Sequence, residues 1–131
     1  MTSLTDKVAR VHEALRVWNG AVSARPAVVK RCHDAAEVSE AVRYARATGL
    51  PLSVFDGGHD WTGRAIRPGG LVIDLRGMRA VTVDGNIATV AGGATATDVL
   101  AAAAHSGLSA ATGTAGSIGM AGLTLGGAMV R

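Results

Sequence analysis

Only one cysteine, Cys32, occurs in the 131 residues. An internal disulfide is therefore excluded, as is a metal site built from spaced thiolates. Cys32 reads as a small, partly buried thiol at a strand end. Aromatic residues are nearly as scarce, at two Trp, one Tyr and one Phe. Beside 18 glycines and an apolar fraction of 48%, that scarcity predicts a core of Ala, Val, Leu and Ile closed by tight turns. It also removes the stacking platforms that a single-strand binder needs. The thirteen basic residues, against ten acidic for a net +3, are scattered, with Arg64, Arg67, Arg76 and Arg79 the nearest thing to a cluster. Nucleic acid is not an expected partner.

No Asp, Glu, Lys or Arg occurs from Val99 to Val130, which invites a membrane span. Seven glycines after His105, mixed with Ser and Thr, make that stretch too weakly hydrophobic and too poor a helix for one. A charge-free loop packed inside the protein, or around a ligand, fits better, and no membrane partner is expected. Met1 to Asp6 has neither a basic start nor an apolar run, so no secretory signal is read and a cytoplasmic location is expected. The length suits one modest domain.

Val8, Val11, Leu15 and Trp18 recur at spacings of three and four, which predicts an amphipathic helix over 6–18 stopped near Gly20, with His12 on its surface. Ala27 to Lys30 reads as a first strand. Asp34 and Glu37 form a helix-start signature, Val38, Ala41, Val42 and Ala45 an apolar stripe, and Gly49 and Pro51 a stop. Leu52 to Phe55 is the next strand, so 27–55 make a βαβ unit with parallel strands. Leu71 to Leu75 reads as a strand, and 80–83 and 87–91 as a hairpin turning at Asp84-Gly85-Asn86. Thr95 and Asp98 then start a helix through the alanine run, ended by Gly107 and with His105 in its last turn as a dipole and solvent residue.

Two stretches carry the chemistry. The first, Val54 to Gly63, reads Val-Phe-Asp-Gly-Gly-His-Asp-Trp-Thr-Gly. Two glycines after a strand leave backbone N–H groups free of Cβ atoms, able to converge on an anion such as a pyrophosphate, with His59 at the lip. This loop follows the second strand of the unit, whereas a nicotinamide-type fingerprint follows the first and reads G-x-G-x-x-G, which is absent. Gly58 and Gly63 mimic the outer glycines of a triphosphate loop. Arg64 and Ala65, however, stand where Lys and Ser or Thr are required, which argues against a nucleotide triphosphatase. The second stretch, Thr112 to Gly127, places Gly116, Gly119 and Gly122 at every third residue. Composition alone would allow a flexible linker, but Ile118, Met120, Leu123 and Leu125 are interleaved apolar residues that a solvated linker would lack.

Gly57 to Gly63 resembles the pyrophosphate loop of FAD-linked oxidoreductases of the berberine-bridge-enzyme-like group, within the vanillyl-alcohol-oxidase and p-cresol methylhydroxylase superfamily. Thr112 to Gly127 resembles that family's second flavin loop, and Trp18 to Val22 with Arg25-Pro26 its entry segment. The resemblance implies an α+β fold, a small parallel βαβ subdomain plus antiparallel strands with both loops on one edge. Residues 1–23 would be an N-terminal helix and lead-in, and 24–131 the N-terminal part of an FAD-binding domain. It implies FAD as cofactor, 8α-linked through His59. The implied binding set is Phe55, Asp56, Gly57, Gly58, His59, Asp60 and Gly63 with Gly113, Thr114, Gly116, Ser117, Gly119 and Gly122. The implied reaction passes hydride from an alcohol-like or amine-like small-molecule substrate to the flavin, with oxygen as acceptor and the catalytic base beyond Arg131.

Three departures accompany the resemblance. Phe55 and Asp56 stand where many members carry an arginine and a small residue, and a carboxylate beside a pyrophosphate should weaken binding unless Asp56 points away or pairs with Arg64. Ala115 stands where bicovalent members carry cysteine, so a single covalent bond is expected. The chain ends at Arg131, whereas members continue, so an N-terminal fragment inactive on its own is expected. Two other readings stay open: a binding module without flavin, and a phosphate-ligand binder in which His59 has no covalent role.

Overall fold

The computed structural model describes residues 15–127. Its elements are β1 (Val28–Arg31), α1 (Ala35–Thr48), β2 (Leu52–Phe55), β3 (Leu71–Asp74), a 3-10 turn (Leu75–Gly77), β4 (Val81–Asp84), β5 (Ile87–Val90), α2 (Ala96–His105) and α3 (Met120–Gly126). The expected helix over 6–18 lies mostly outside the described residues, and its last part, Leu15 to Trp18, is not helical. That segment instead runs across the first glycine loop, Trp18 N–H donating to the Gly58 carbonyl at 2.8 Å.

β1, β3 and β2 form a parallel sheet in that order. The strands of the βαβ unit are thus parallel as expected, but β3 is inserted between them, Leu71 pairing with both Val28 and Leu52. The inserted strand is buried along its whole length, which is what the uninterrupted run Leu-Val-Ile provides. Leu71 and Ile73 pack with Ala41, Ala45 and Cys32 on one side, and Val72 packs with Leu15, Phe55 and Ile66 on the other. Alternation along the strand thus builds two thin cores, each stabilised by roughly 1.5–3 kcal/mol per large side chain removed from water.

α1 starts where the sequence places it: Asp34 accepts from Glu37 N–H at 2.8 Å, and Gly49 ends it at φ 69°. Its buried residues are Ala41 and Ala45, while Val42 of the expected stripe is exposed. Alanines at the contact let the helix sit close to the sheet, so large rings are not needed. Cys32 is completely buried rather than partly so. Burial pushes its thiol pKa up, and nearby Glu37 adds to the shift.

β4 and β5 form the expected antiparallel hairpin, turning at Gly85 with φ 59°. α2 begins at Thr95, whose N–H and hydroxyl both donate to Asp98, and that carboxylate also takes two hydrogen bonds from Arg79 at 2.8 and 3.0 Å. α2 is thereby tied to the chain entering the hairpin. β3, expected to run to Leu75, ends one residue earlier, because Asp74 caps the following turn by accepting from Arg76 N–H. Among the described residues no helix is long and apolar enough to cross a membrane.

Candidate functional site

All three strands of the parallel sheet end on the same edge, where Arg31 and Phe55 both flank Asp74. Asp74 is buried and takes hydrogen bonds from Arg31 and Arg76 at 2.8–2.9 Å. Burial alone would raise its pKa, but the bonds from Arg76 and Arg31 outweigh that and leave it below the ordinary carboxylate value. Arg76 also lies 4.9 Å over the Phe55 ring, so one guanidinium ties Asp74 to the ring beneath the first loop.

The first loop leaves this floor at Asp56. Gly58 adopts φ 68°, and a Cβ there would lie 2.8 Å from the Phe55 ring, so only glycine fits. Gly57 has no positive φ, yet a Cβ would fall 2.6 Å from the Ser117 carbonyl oxygen, because the second loop passes directly over it. His59 stacks on Trp18 at 6.2 Å with an interplanar angle of 21°, and its Nε2 lies 2.8 Å from Ser117 Oγ. Asp60 turns back onto its own loop, accepting from Thr62 and from the N–H and Nε of Arg64. The Arg64 bond lowers the Asp60 pKa to about 2. Gly63 closes the loop at φ 75° against Val22.

The second loop is folded, not a linker. The Gly116 carbonyl accepts from Thr97 N–H and hydroxyl, both at 3.0 Å, and Ala96 N–H reaches the Ile118 carbonyl. Gly119 bridges Thr95 and precedes α3. Sequence periodicity did not find α3, because Gly122 and Gly126 within it are poor helix formers. Gly113 packs under Ile118, and Thr114 lies at an exposed bend.

The two loops, far apart in sequence, therefore meet. Between them runs a cleft of about 560 Å³ bordered by Asp56, Gly58 and His59 on one side and Ile118, Gly119 and Gly122 on the other. Gly57 N–H donates to the Asp56 carboxylate. Among the described residues no acceptor meets the N–H groups of Gly58, His59 or Asp60, and all three residues border the cleft. Phe55 gives its side chain to the core rather than the cleft. Arg64 borders the cleft paired with Asp60, not with Asp56 as the sequence suggested it could be. Trp18 was missed as a site residue, and no local signal could have placed it on His59, forty-one positions away by number.

Residues 26–130 match the family model described as FAD binding domain. (R)-6-hydroxynicotine oxidase of Paenarthrobacter nicotinovorans is 41% identical over 85% of this chain and 25% of its own length. The solved structure of 6-hydroxy-D-nicotine oxidase from Arthrobacter nicotinovorans superposes with a TM-score of 0.84 at 35% identity, over 94% of this chain and 27% of that one. Glucooligosaccharide oxidase from Acremonium strictum, described with a 6-S-cysteinyl, 8α-N1-histidyl FAD, gives 0.80 at 28% identity over 86% of this chain and 25% of that one. The chain spans about a quarter of the length of these relatives. With the family model covering most of its residues and the same fold in its relatives, the chain belongs to the FAD binding domain family of FAD-linked oxidoreductases, in the vanillyl-alcohol-oxidase and berberine-bridge-enzyme-like group.

Proposed function

We propose that FAD lies along the cleft between the two glycine loops, its phosphates facing the N–H groups of Gly58, His59 and Asp60, and that His59 is its 8α tether. The observation that carries this is the meeting of the two loops at His59, whose ring is held by Ser117 and Trp18 together. Glycine at Gly57, Gly58 and Gly119 lets the two loops and the ring beneath them approach closely, since a Cβ at any of these would overlap Ser117, Phe55 or Asp56, and that close approach brings both loops to the cleft.

When bound, FAD would supply the two-electron acceptor for oxidation of an alcohol-like or amine-like carbon, with oxygen as the final acceptor. This chain's residues bind and orient. The amides neutralise phosphate charge, and the glycines allow close approach. The imidazole of His59, contacted by the Ser117 hydroxyl and the Trp18 indole, would supply the ring nitrogen for the tether.

The test is an intact mass and peptide map of acid-denatured protein, on this chain supplied with FAD and on any longer form of the same protein. A flavin mass on the peptide containing His59, absent in His59→Ala, is the expected result. Flavin that binds but leaves on denaturation would remove the tether and keep the cleft. No flavin in either form would replace this reading with the module that keeps the fold without cofactor.

A further inference from the structure

Asp56 stands where the cofactor reading least wants a negative charge, and its surroundings explain why it is tolerated. One carboxylate oxygen accepts from the adjacent Gly57 N–H, and the other accepts from Gly122 N–H at 3.1 Å, 66 positions away. The two oxygens thus join the first turn of α3 to the end of β2.

Gly119 gives an independent view of the same contact. Its backbone lies at φ −72° and ψ 127°, a conformation open to every residue, so torsion does not demand glycine. Space does: a Cβ at Gly119 would overlap Asp56 Cγ and both carboxylate oxygens. The carboxylate is therefore packed into the second loop as well as hydrogen-bonded to it.

We propose that Asp56 is a positioning residue, a latch whose carboxylate locks the second glycine loop and α3 onto the first loop and so fixes the width of the cleft. Its charge is satisfied by amides within the protein, and the ligand is left the amides of Gly58, His59 and Asp60. The consequence for the cofactor rests on the placement of FAD in that cleft; the latch itself does not.

The experiment uses the whole chain, first without cofactor. Amide hydrogen exchange is followed residue by residue in the unsubstituted protein, Asp56→Asn and Asp56→Ala. The latch predicts that Asp56→Ala speeds exchange at Gly122 by ~10-fold or more, with Asp56→Asn between the two because it keeps one acceptor. A thermodynamic cycle covers the case in which Asp56→Ala is poorly folded. Gly119→Ala should lower the denaturation midpoint strongly in the unsubstituted protein and much less in an Asp56→Ser background, where the space has been vacated. Unchanged exchange at Gly122, or strictly additive substitutions in the cycle, overturns the latch.

FAD affinity is then measured by quenching of flavin fluorescence. Asp56→Ala is expected to weaken binding ~10-fold despite removing a like charge, because the second wall is loosened. Equal affinity in Asp56→Ala and the unsubstituted protein overturns the positioning role. If exchange and the cycle behave as expected while no form binds FAD, the latch stands and the cofactor placement falls.

Discussion

His59 Nε2 and Ser117 Oγ lie 2.8 Å apart although 58 positions separate them in sequence. A hydroxyl can take the Nε2 proton as acceptor or supply one as donor, so this contact accommodates either tautomer and fixes where the ring sits. When Ser117 accepts, Nδ1 is the free nucleophile. Trp18, stacked on the ring, limits rotation at the same time.

Removing the hydroxyl tests whether that contact matters. Ser117→Ala should lower the rate of covalent flavin incorporation ~10-fold or more, while Ser117→Thr retains it. Quantifying protein-bound flavin after acid denaturation over a time course measures this. Nitrogen-15 spectra of the imidazole should show the Nε2 resonance shifted in Ser117→Ala, whichever way the bond runs. Identical spectra would mean that the hydroxyl does not bond Nε2.

Gly58 and Gly85 both have positive φ, 68° and 59°, but differ in surroundings. An added Cβ at Gly85 meets nothing within 4 Å, whereas at Gly58 it meets the Phe55 ring. Gly85→Ala should therefore cost about 1 kcal/mol for the left-handed backbone alone. Gly58→Ala should cost about 3 kcal/mol, because displacement of a buried ring is added. Urea denaturation midpoints compare the two, and equal losses would show that the ring yields freely.

Both glycine loops were legible in the sequence because their composition is itself the signal: glycines where backbone must approach backbone, beside a histidine. Local capping was equally legible, since Asp34, Gly49, Thr95 and Asp98 act within a few residues of one another. What was hidden depends on contacts between distant segments. Insertion of β3 between β1 and β2 follows from pairing of Leu71 with two separated strands, which no local pattern encodes. Leu15 and Trp18 carry helical spacing, yet Leu15 is buried in the core with Phe55 and Ile66, and Trp18 lies on His59, so packing overrides periodicity. α3 was hidden for the opposite reason. Its glycines disfavour a helix on its own, and the Asp56 bond to Gly122 helps to hold it.

Cys32 is fully buried, with its thiol pKa raised. The thiolate is the reactive form, so both access and ionisation oppose modification. A disulfide reagent should leave the folded protein unmodified over minutes at neutral pH and label it fully in denaturant. Labelling of the folded protein at the rate of a free thiol would place Cys32 outside the core described here.

Asp98 couples the start of α2 to Arg79, and that single carboxylate should leave a signature in the pH dependence of stability. The Arg79 bond and the Thr95 donors hold its pKa at about 2, opposed by partial burial. An unfolded chain returns it to about 3.9. The folded pKa is the lower of the two, so its contribution is fully present above about pH 5 and is lost as pH falls through about 2. At pH 6, Asp98→Asn should cost about 1–2 kcal/mol, combining a weakened cap with a half-exposed ion pair. Near pH 2 the two proteins should approach each other in stability. Asp60 and Asp74 also titrate low but are present in both proteins, so the difference between the two isolates Asp98. Urea denaturation of both at several pH values between 2 and 6 provides the curves. A constant gap across that range would show that the bond to Arg79 does not depend on the charge of Asp98.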